Sequence, residues 1–100
     1  MKNLTFYFGR IPLFPLGRIV ATPSALTLLS EHNISAALLL DRHGSGDWGN
    51  LDQCDKAENQ NALVHMNRIL SSYDLGVTDR IWIITEADRS STTILLPEDY

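Results

Sequence analysis

Apolar positions change rhythm along this chain. Thr22-Pro23 reads as an N-cap followed by proline at the first helical position, and Ala25, Leu26, Leu28 and Leu29 supply a short helix that Asn33 can end. Ser35 caps a second helix, from about Ala36 to Arg42, with Leu38 and Leu39 facing the core before Gly44 stops it. From Leu51 to about Asn67 there is no Gly or Pro, and Gln, Lys, Ala, Glu and Leu favour the longest helix. Its three-to-four spacing of Cys54, Ala57 or Glu58, Ala62 and His65 or Met66 predicts a narrow buried stripe of small residues.

The last third has the period of strands. Ile69 to Tyr73, Arg80 to Thr85 and Thr92 to Leu96 are β-rich, and 76–79 and 86–91 carry turn residues, so an antiparallel meander is expected. Ile81 and Ile83 point to one face and Trp82 and Ile84 to the other, which marks a central strand. Near the N-terminus, Thr5-Phe6-Tyr7-Phe8 and Leu16 to Ala21 are β-prone and separated by Pro12 and Pro15, predicting two short strands, or one strand after an irregular arm over residues 1–13. The whole predicts a single α+β domain spanning 1–100. Its antiparallel sheet, with a C-terminal three-stranded meander, is joined by N-terminal strand or strands and carries helices on one face.

One hundred residues with 44% apolar content suit one compact core. No apolar run approaches a membrane span, and the N-terminus lacks the pattern of a signal peptide, so a cytoplasmic protein is expected. The single cysteine, Cys54, excludes an internal disulfide and a thiolate-rich zinc site. A formal net charge of −4 opposes direct binding to nucleic acid or anionic lipid, and it suits either a basic protein partner or simple solubility.

Candidate chemistry gathers in 41–50, where Asp41, Arg42, His43, Asp47 and Trp48 stand among three glycines. This stretch reads as a shaped loop whose ordering cost something must offset. His43 and Asp47, with Asp52, Asp55 and Glu58 following, could gather around a cation or act as a base and its orienting acid; alternatively the acids favour the helix N-terminus and His43 hydrogen-bonds the loop. In the turn containing Glu86, Asp88 and Arg89, the arginine could clamp a carboxylate or phosphate, or the turn could satisfy itself with Arg89 paired to Asp47. Trp48 either anchors the loop to the core or meets a partner, and Trp82 is structural.

Three blocks carry a resemblance: 14–23 (FPLGRIVATP), 42–49 (RHGSGDWG) and 81–100 (IWIITEADRSSTTILLPEDY). They resemble the short plasmid-related proteins of bacterial plasmids and integrative elements, over roughly residues 14–100. The resemblance implies a mobile-element setting, where small acidic proteins include inhibitors of host defence. Some members carry a restriction-methylation label, but this chain has neither the length nor the glycine fingerprint for a methyltransferase. The chain departs from the family in the extension Thr5-Phe6-Tyr7-Phe8, which suggests a partner contact of its own, and in Met66, where glycine is expected.

The expectation is a non-enzymatic accessory protein that binds and inhibits a host defence protein or ribonucleoprotein complex, of anti-CRISPR or anti-restriction type, through an acidic surface. Its contacts would come from His43, Asp47, Trp48, Glu58, Asp88, Arg89 and Glu98, with no metal, no cofactor, no membrane and no direct nucleic-acid contact. The second reading is a small metal- or His-dependent hydrolase or nuclease-like enzyme using His43, Asp47, Glu86, Asp88 and Arg89. The third is a homodimeric interaction module built on an exposed sheet edge.

Overall fold

The computed structural model describes residues 11–100; the β-prone run Thr5-Phe6-Tyr7-Phe8, and with it most of the arm expected over 1–13, lies outside them. The elements follow the order β1 (Arg18–Ala21), α1 (Pro23–Glu31), α2 (Ala36–Gly44), α3 (Gln53–His65), β2 (Ile69–Leu75), β3 (Asp79–Thr85) and β4 (Ser91–Leu95), then a 3-10 turn at Pro97–Asp99. The class is α+β, with a four-stranded sheet in the order β1-β4-β3-β2. β2, β3 and β4 form the antiparallel meander, β3 is central, and β1 joins β4 in parallel.

Local chemistry accounts for the helix ends. Thr22 Oγ1 accepts from Ala25 N, Ser35 Oγ from Ala37 N and Asp52 Oδ1 from Asp55 N, so each helix has a side-chain N-cap. Two helices leave through left-handed residues, Asn33 after α1 (φ 55°) and Met66 after α3 (φ 59°). Asparagine tolerates that conformation locally, whereas methionine carries the Cβ penalty.

Register divides the sheet into two faces. Ile19, Ala21, Ile69, Ser71, Tyr73, Ile81, Ile83, Thr85, Thr92 and Ile94 share the inner face by alternation along paired strands. Against it α1 and α2 place Ala25, Leu29, Leu39 and Leu40, forming the main core. A second cluster joins Phe14, Leu16, Trp48, Ala62 and Ile69, tying the N-terminal arm and the glycine segment to α3. On the outer face Trp82 meets Tyr100 edge-on, with ring centroids 6.1 Å apart.

Two expected core stripes are rotated. Leu38 is exposed, whereas Leu39, Leu40 and His43 are buried, because α2 continues through Gly44 and that set forms its inward face. In α3 only Ala62 of the expected stripe is inside; Cys54, Ala57, Glu58, His65 and Met66 are exposed. The inward side is instead Lys56, Asn59, Ala62 and Leu63, because α3 docks through an amide on a strand edge rather than through a purely apolar seam. Asn59 Nδ2 donates to Leu70 O at 2.7 Å and its Oδ1 accepts from Leu70 N at 3.2 Å.

The same edge is closed further along. Asn50 N donates to Ser72 O, Ser72 N to Trp48 O, and Asp74 N to Asn50 Oδ1. Both outward groups of Leu70 and Ser72 and the N–H of Asp74 are thus engaged, so this stretch of β2 is not the open edge that an edge-paired homodimer requires. Among the described residues, no helix is long and apolar enough to cross a membrane.

Candidate functional site

The segment singled out by its glycines is half helix and half loop. Asp41, Arg42 and His43 lie in the last turns of α2, and the irregular part begins at Ser45. Arg42 grips Asp47, with Nε to Oδ2 at 2.7 Å and Nη2 to Oδ1 at 3.3 Å, while its guanidinium stands 4.6 Å from the Tyr73 ring centre. The Tyr73 hydroxyl donates to Asp47 O at 2.7 Å. Gly49 has φ 72°, and a Cβ there would run into Ser72 O and the Tyr73 ring, which explains why only glycine lets the loop lie against β2. The Arg42 hydrogen bond holds the Asp47 carboxyl below its usual range, and the same bond raises Arg42. Burial pushes the Tyr73 phenol up, so it remains a donor.

His43 is wholly buried. Its Nδ1 lies 2.6 Å from Ser71 Oγ and its Nε2 2.9 Å from Thr85 Oγ1. Thr85 Oγ1 is 2.7 Å from Thr92 Oγ1, which donates to Leu16 O at 2.7 Å. Each hydroxyl has one proton, and this fixes the direction of the chain. Thr92 gives its proton to Leu16 O, so Thr85 donates to Thr92 and must accept from His43. His43 is therefore the neutral Nε2–H tautomer, with Ser71 donating to Nδ1. Burial pushes its pKa down to about 3, in keeping with that state. Both ring nitrogens are engaged in the core, so His43 is neither a surface contact nor a base that substrate can reach.

Arg89 is also interior, at 6% exposure, and has the left-handed φ of 62° in the β3–β4 turn. Its Nη1 donates to Asn67 O at 2.6 Å, and more weakly to Glu86 O and Ala87 O; Nη2 donates to Ala62 O at 2.8 Å. The guanidinium lies 5.6 Å from the Phe14 ring centre. Ala62 belongs to the last turn of α3, whose carbonyl end favours a cation. Arg89 thus joins that helix end to the turn. The expected Arg89 to Asp47 pair is not formed, because Asp47 is held by Arg42 and the Arg89 fork is committed to carbonyls.

The remaining candidates are dispersed. Trp48 is 7% exposed and anchors the second core cluster, so it is not presented to a partner. Glu58 is exposed on α3, and Asp88 and Glu98 are exposed beyond opposite ends of β4, whose five residues span about 17 Å. The Ser90 hydroxyl, then the Ser90 backbone N–H, hold the Asp88 carboxyl below its usual range. Glu86 is half-buried at the start of the turn. Among the described residues, no three His, Cys, Asp or Glu side chains gather so that they could hold a metal ion. His43, Asp47, Glu86, Asp88 and Arg89 do not assemble into one accessible pocket.

Clefts open to ligands or partners among the described residues include two that bear on the candidate residues. One, of about 550 Å³, lies between the glycine segment and α3, with Leu13, Asp47, Trp48, Gln53, Lys56 and Gln60 on its walls. The other, of about 410 Å³, lies at the β2–β3 hairpin end and includes Asp74, Val77, Asp79, Arg80, Pro97 and Glu98. There Arg80 pairs with Asp74 at 2.9 Å and His32 with Asp79 at 2.8 Å, while Val77 is fully exposed. The residues that sequence reasoning missed are Ser71, Tyr73, Thr85 and Thr92. Their signal was the recurrence of hydroxyls at inward positions of otherwise apolar strands. Comparison of the chain with family models, curated proteins and solved structures finds no match in any of the three.

Proposed function

We propose that this is a mobile-element accessory protein that acts by binding, without catalysis, and inhibits a host defence protein or ribonucleoprotein complex. The observation that carries the choice of binder over enzyme is the burial of His43 with both ring nitrogens hydrogen-bonded. The only candidate base of the glycine segment cannot meet a substrate proton. The mobile-element setting rests on the sequence resemblance alone.

An acidic contact surface is best supported at the hairpin end. Asp74, Asp79 and Glu98 border a cleft there, and exposed Val77 adds an apolar tip. A basic partner segment suits this combination, with charge setting the encounter rate and apolar contact holding the complex. Glu58 and Asp88 lie elsewhere and are secondary contacts at most.

The test is stoichiometric. The tagged protein captures its partner from a host lysate, and the partner's nuclease or interference activity is then titrated with purified protein. A binder inhibits in proportion to complex formed, and Glu98→Lys weakens capture most at low salt. Full inhibition at a hundredth of the partner's concentration would instead demand an enzyme and overturn the proposal.

A further inference from the structure

We propose that the outer edge of β1 pairs antiparallel with the same edge of a second copy of this chain, about a two-fold axis at Val20, so that the two sheets run on as one. This inference does not rest on the inhibitor reading.

The strand order places β2 and β1 at the edges of the sheet. β2 is covered by Asn59, Trp48 and Asn50, whereas β1 is open. Arg18 N donates to Ser90 O and Thr22 N to Ile94 O, and the parallel register sets Arg18 against Ser91 and Val20 against Thr93. In that pattern the N–H and C=O of Arg18 and Val20 face β4, so those of Ile19 and Ala21 face away from the sheet. No hydrogen bond engages these outward groups among the described residues. Arg18 and Val20 are exposed, and Ile19 and Ala21 are half-buried.

The edge is complementary to itself in one register. With Val20 opposite Val20 of the second copy, Ile19 lies opposite Ala21 of that copy and Ala21 opposite Ile19, and each of these pairs exchanges both of its main-chain hydrogen bonds. Sliding the axis to Ile19 sets Ala21 against Gly17, whose φ of 66° takes it out of the strand. Sliding it to Ala21 sets Ile19 against Pro23, which has no N–H.

Charge favours the same register. Thr22 is extended, so Arg18, Val20 and Thr22 alternate onto one face, and Arg18 comes to stand beside Thr22 of the second copy. Thr22 Oγ1 donates to Asp99 Oδ2 at 2.7 Å, and Ser24 Oγ and Leu96 N donate to that same oxygen at 2.7 and 2.9 Å. Asp99 Oδ1 is left without a donor, and neither Asp99 nor Arg18 has an ion-pair partner among the described residues. The two-fold axis therefore sets an unpaired guanidinium beside an unpaired carboxylate twice, with Val20, 37% exposed, meeting its own copy between them. A foreign strand would engage the main chain alone, so the symmetry of the charges favours a second copy.

So short an edge buries less than the roughly 1,200 Å² of stable interfaces, and the association is weak. Sedimentation velocity of the intact chain, from about 20 μM to about 1 mM at about 0.15 M salt, should show monomer passing into dimer. Over the same range hydrogen exchange at the Ile19 and Ala21 amides should slow, a readout that needs no variant. Val20→Lys sets two ammonium groups opposite each other and should weaken the dimer at least about tenfold. Arg18→Glu alone and Asp99→Lys alone should each stay monomeric, because each sets like charges together. Their equimolar mixture should recover the dimer, since every side chain at position 18 then meets an opposite charge at position 99. A wild type still monomeric at the highest concentration, a dimer that leaves the Ile19 and Ala21 amides unprotected, or a Val20→Lys dimer as tight as wild type overturns the proposal. So does a mixture no better than its parts when both variants keep the wild-type far-UV spectrum.

Discussion

His43 donates from Nε2 to Thr85 Oγ1 across 2.9 Å, which leaves Nδ1 to accept from Ser71 and, with burial, favours the neutral imidazole in the folded state. Protonation would place a charge in the core and oblige the Ser71 hydroxyl to give up its bond to Nδ1 and turn to accept instead. The folded pKa of about 3 lies below the ordinary 6.5. The unfolded chain therefore binds more protons between those values, and folding stability falls as pH drops from 6.5 towards 3. The stabilising contribution is complete above pH 6.5. Each pH unit well inside the window costs about 1.4 kcal/mol. Asp47, Asp88 and Asp99, whose carboxyls are held low, lose their contributions only as pH falls below the usual carboxylate value of 3.8. Urea unfolding of wild type should weaken steadily from pH 6 to pH 4.5, while His43→Gln starts less stable and stays nearly flat over that range. A flat wild-type profile would sink this account.

Arg89→Met keeps an apolar stem of similar length but removes every side-chain hydrogen bond to Ala62, Asn67, Glu86 and Ala87. Bonds from a charged donor contribute about 1.5–3 kcal/mol each, and the carbonyls left behind are only partly rehydrated. A loss of about 3 kcal/mol in chemical denaturation is expected. If Arg89 were instead a ligand clamp with no structural duty, the variant would unfold at the wild-type midpoint.

Met66 offers the opposite sign. It occupies the left-handed position after α3, its N–H bonds Ala62 O, and its side chain is exposed, so little packing is lost on truncation. Met66→Gly should therefore raise stability by up to about 1 kcal/mol, and Met66→Val should lower it, because β-branching worsens the same strain. Thermal melts of the three proteins decide the matter, and a lower melting temperature for the glycine variant refutes it. The position is the one at which the sequence resemblance leads one to expect glycine.

Asn59→Leu tests the closed edge of β2. Leucine fills the space but leaves Leu70 N and Leu70 O without partners, which costs about 2–4 kcal/mol for two backbone groups. The Leu70 amide should exchange with deuterium far faster than its strand neighbours, and the protein should self-associate more readily at high concentration. Unchanged protection of Leu70 would contradict the role given to Asn59.

Much of the fold was legible because its signals are local. Thr22, Ser35 and Asn33 act within four residues of themselves, and the meander turns announce themselves by Gly76 and the polar run after Thr85. The failures all required knowing what lies opposite. Leu38 and Leu40 have the same hydrophobicity, and only the length of α2 and the direction of the sheet decide which one is buried. Asn59 looks like a surface amide until β2 is beside it. The candidate site fared worse for the same reason. Charge alone paired Asp47 with Arg89, whereas the fold gave each a nearer partner, and the two hydroxyls that engage His43 come from different strands, β2 and β3.

The parallel pairing of β1 with β4 also bears on the order of assembly and on a proton. Asn59 and Leu70 are 11 residues apart, and Thr85 and Thr92 only 7, whereas Thr92 and Leu16 are separated by 76. Closing the longest loop costs the most chain entropy, so helix α3 with its strand and the meander can assemble before β1 arrives. Until the arm is seated, the Thr92 hydroxyl has no carbonyl to aim at and is free to rotate, and the hydroxyl of Thr85 is free with it. Docking of the arm is thus the step that selects the tautomer of His43, so the carbonyl of Leu16 decides which nitrogen carries the hydrogen in the centre of the core.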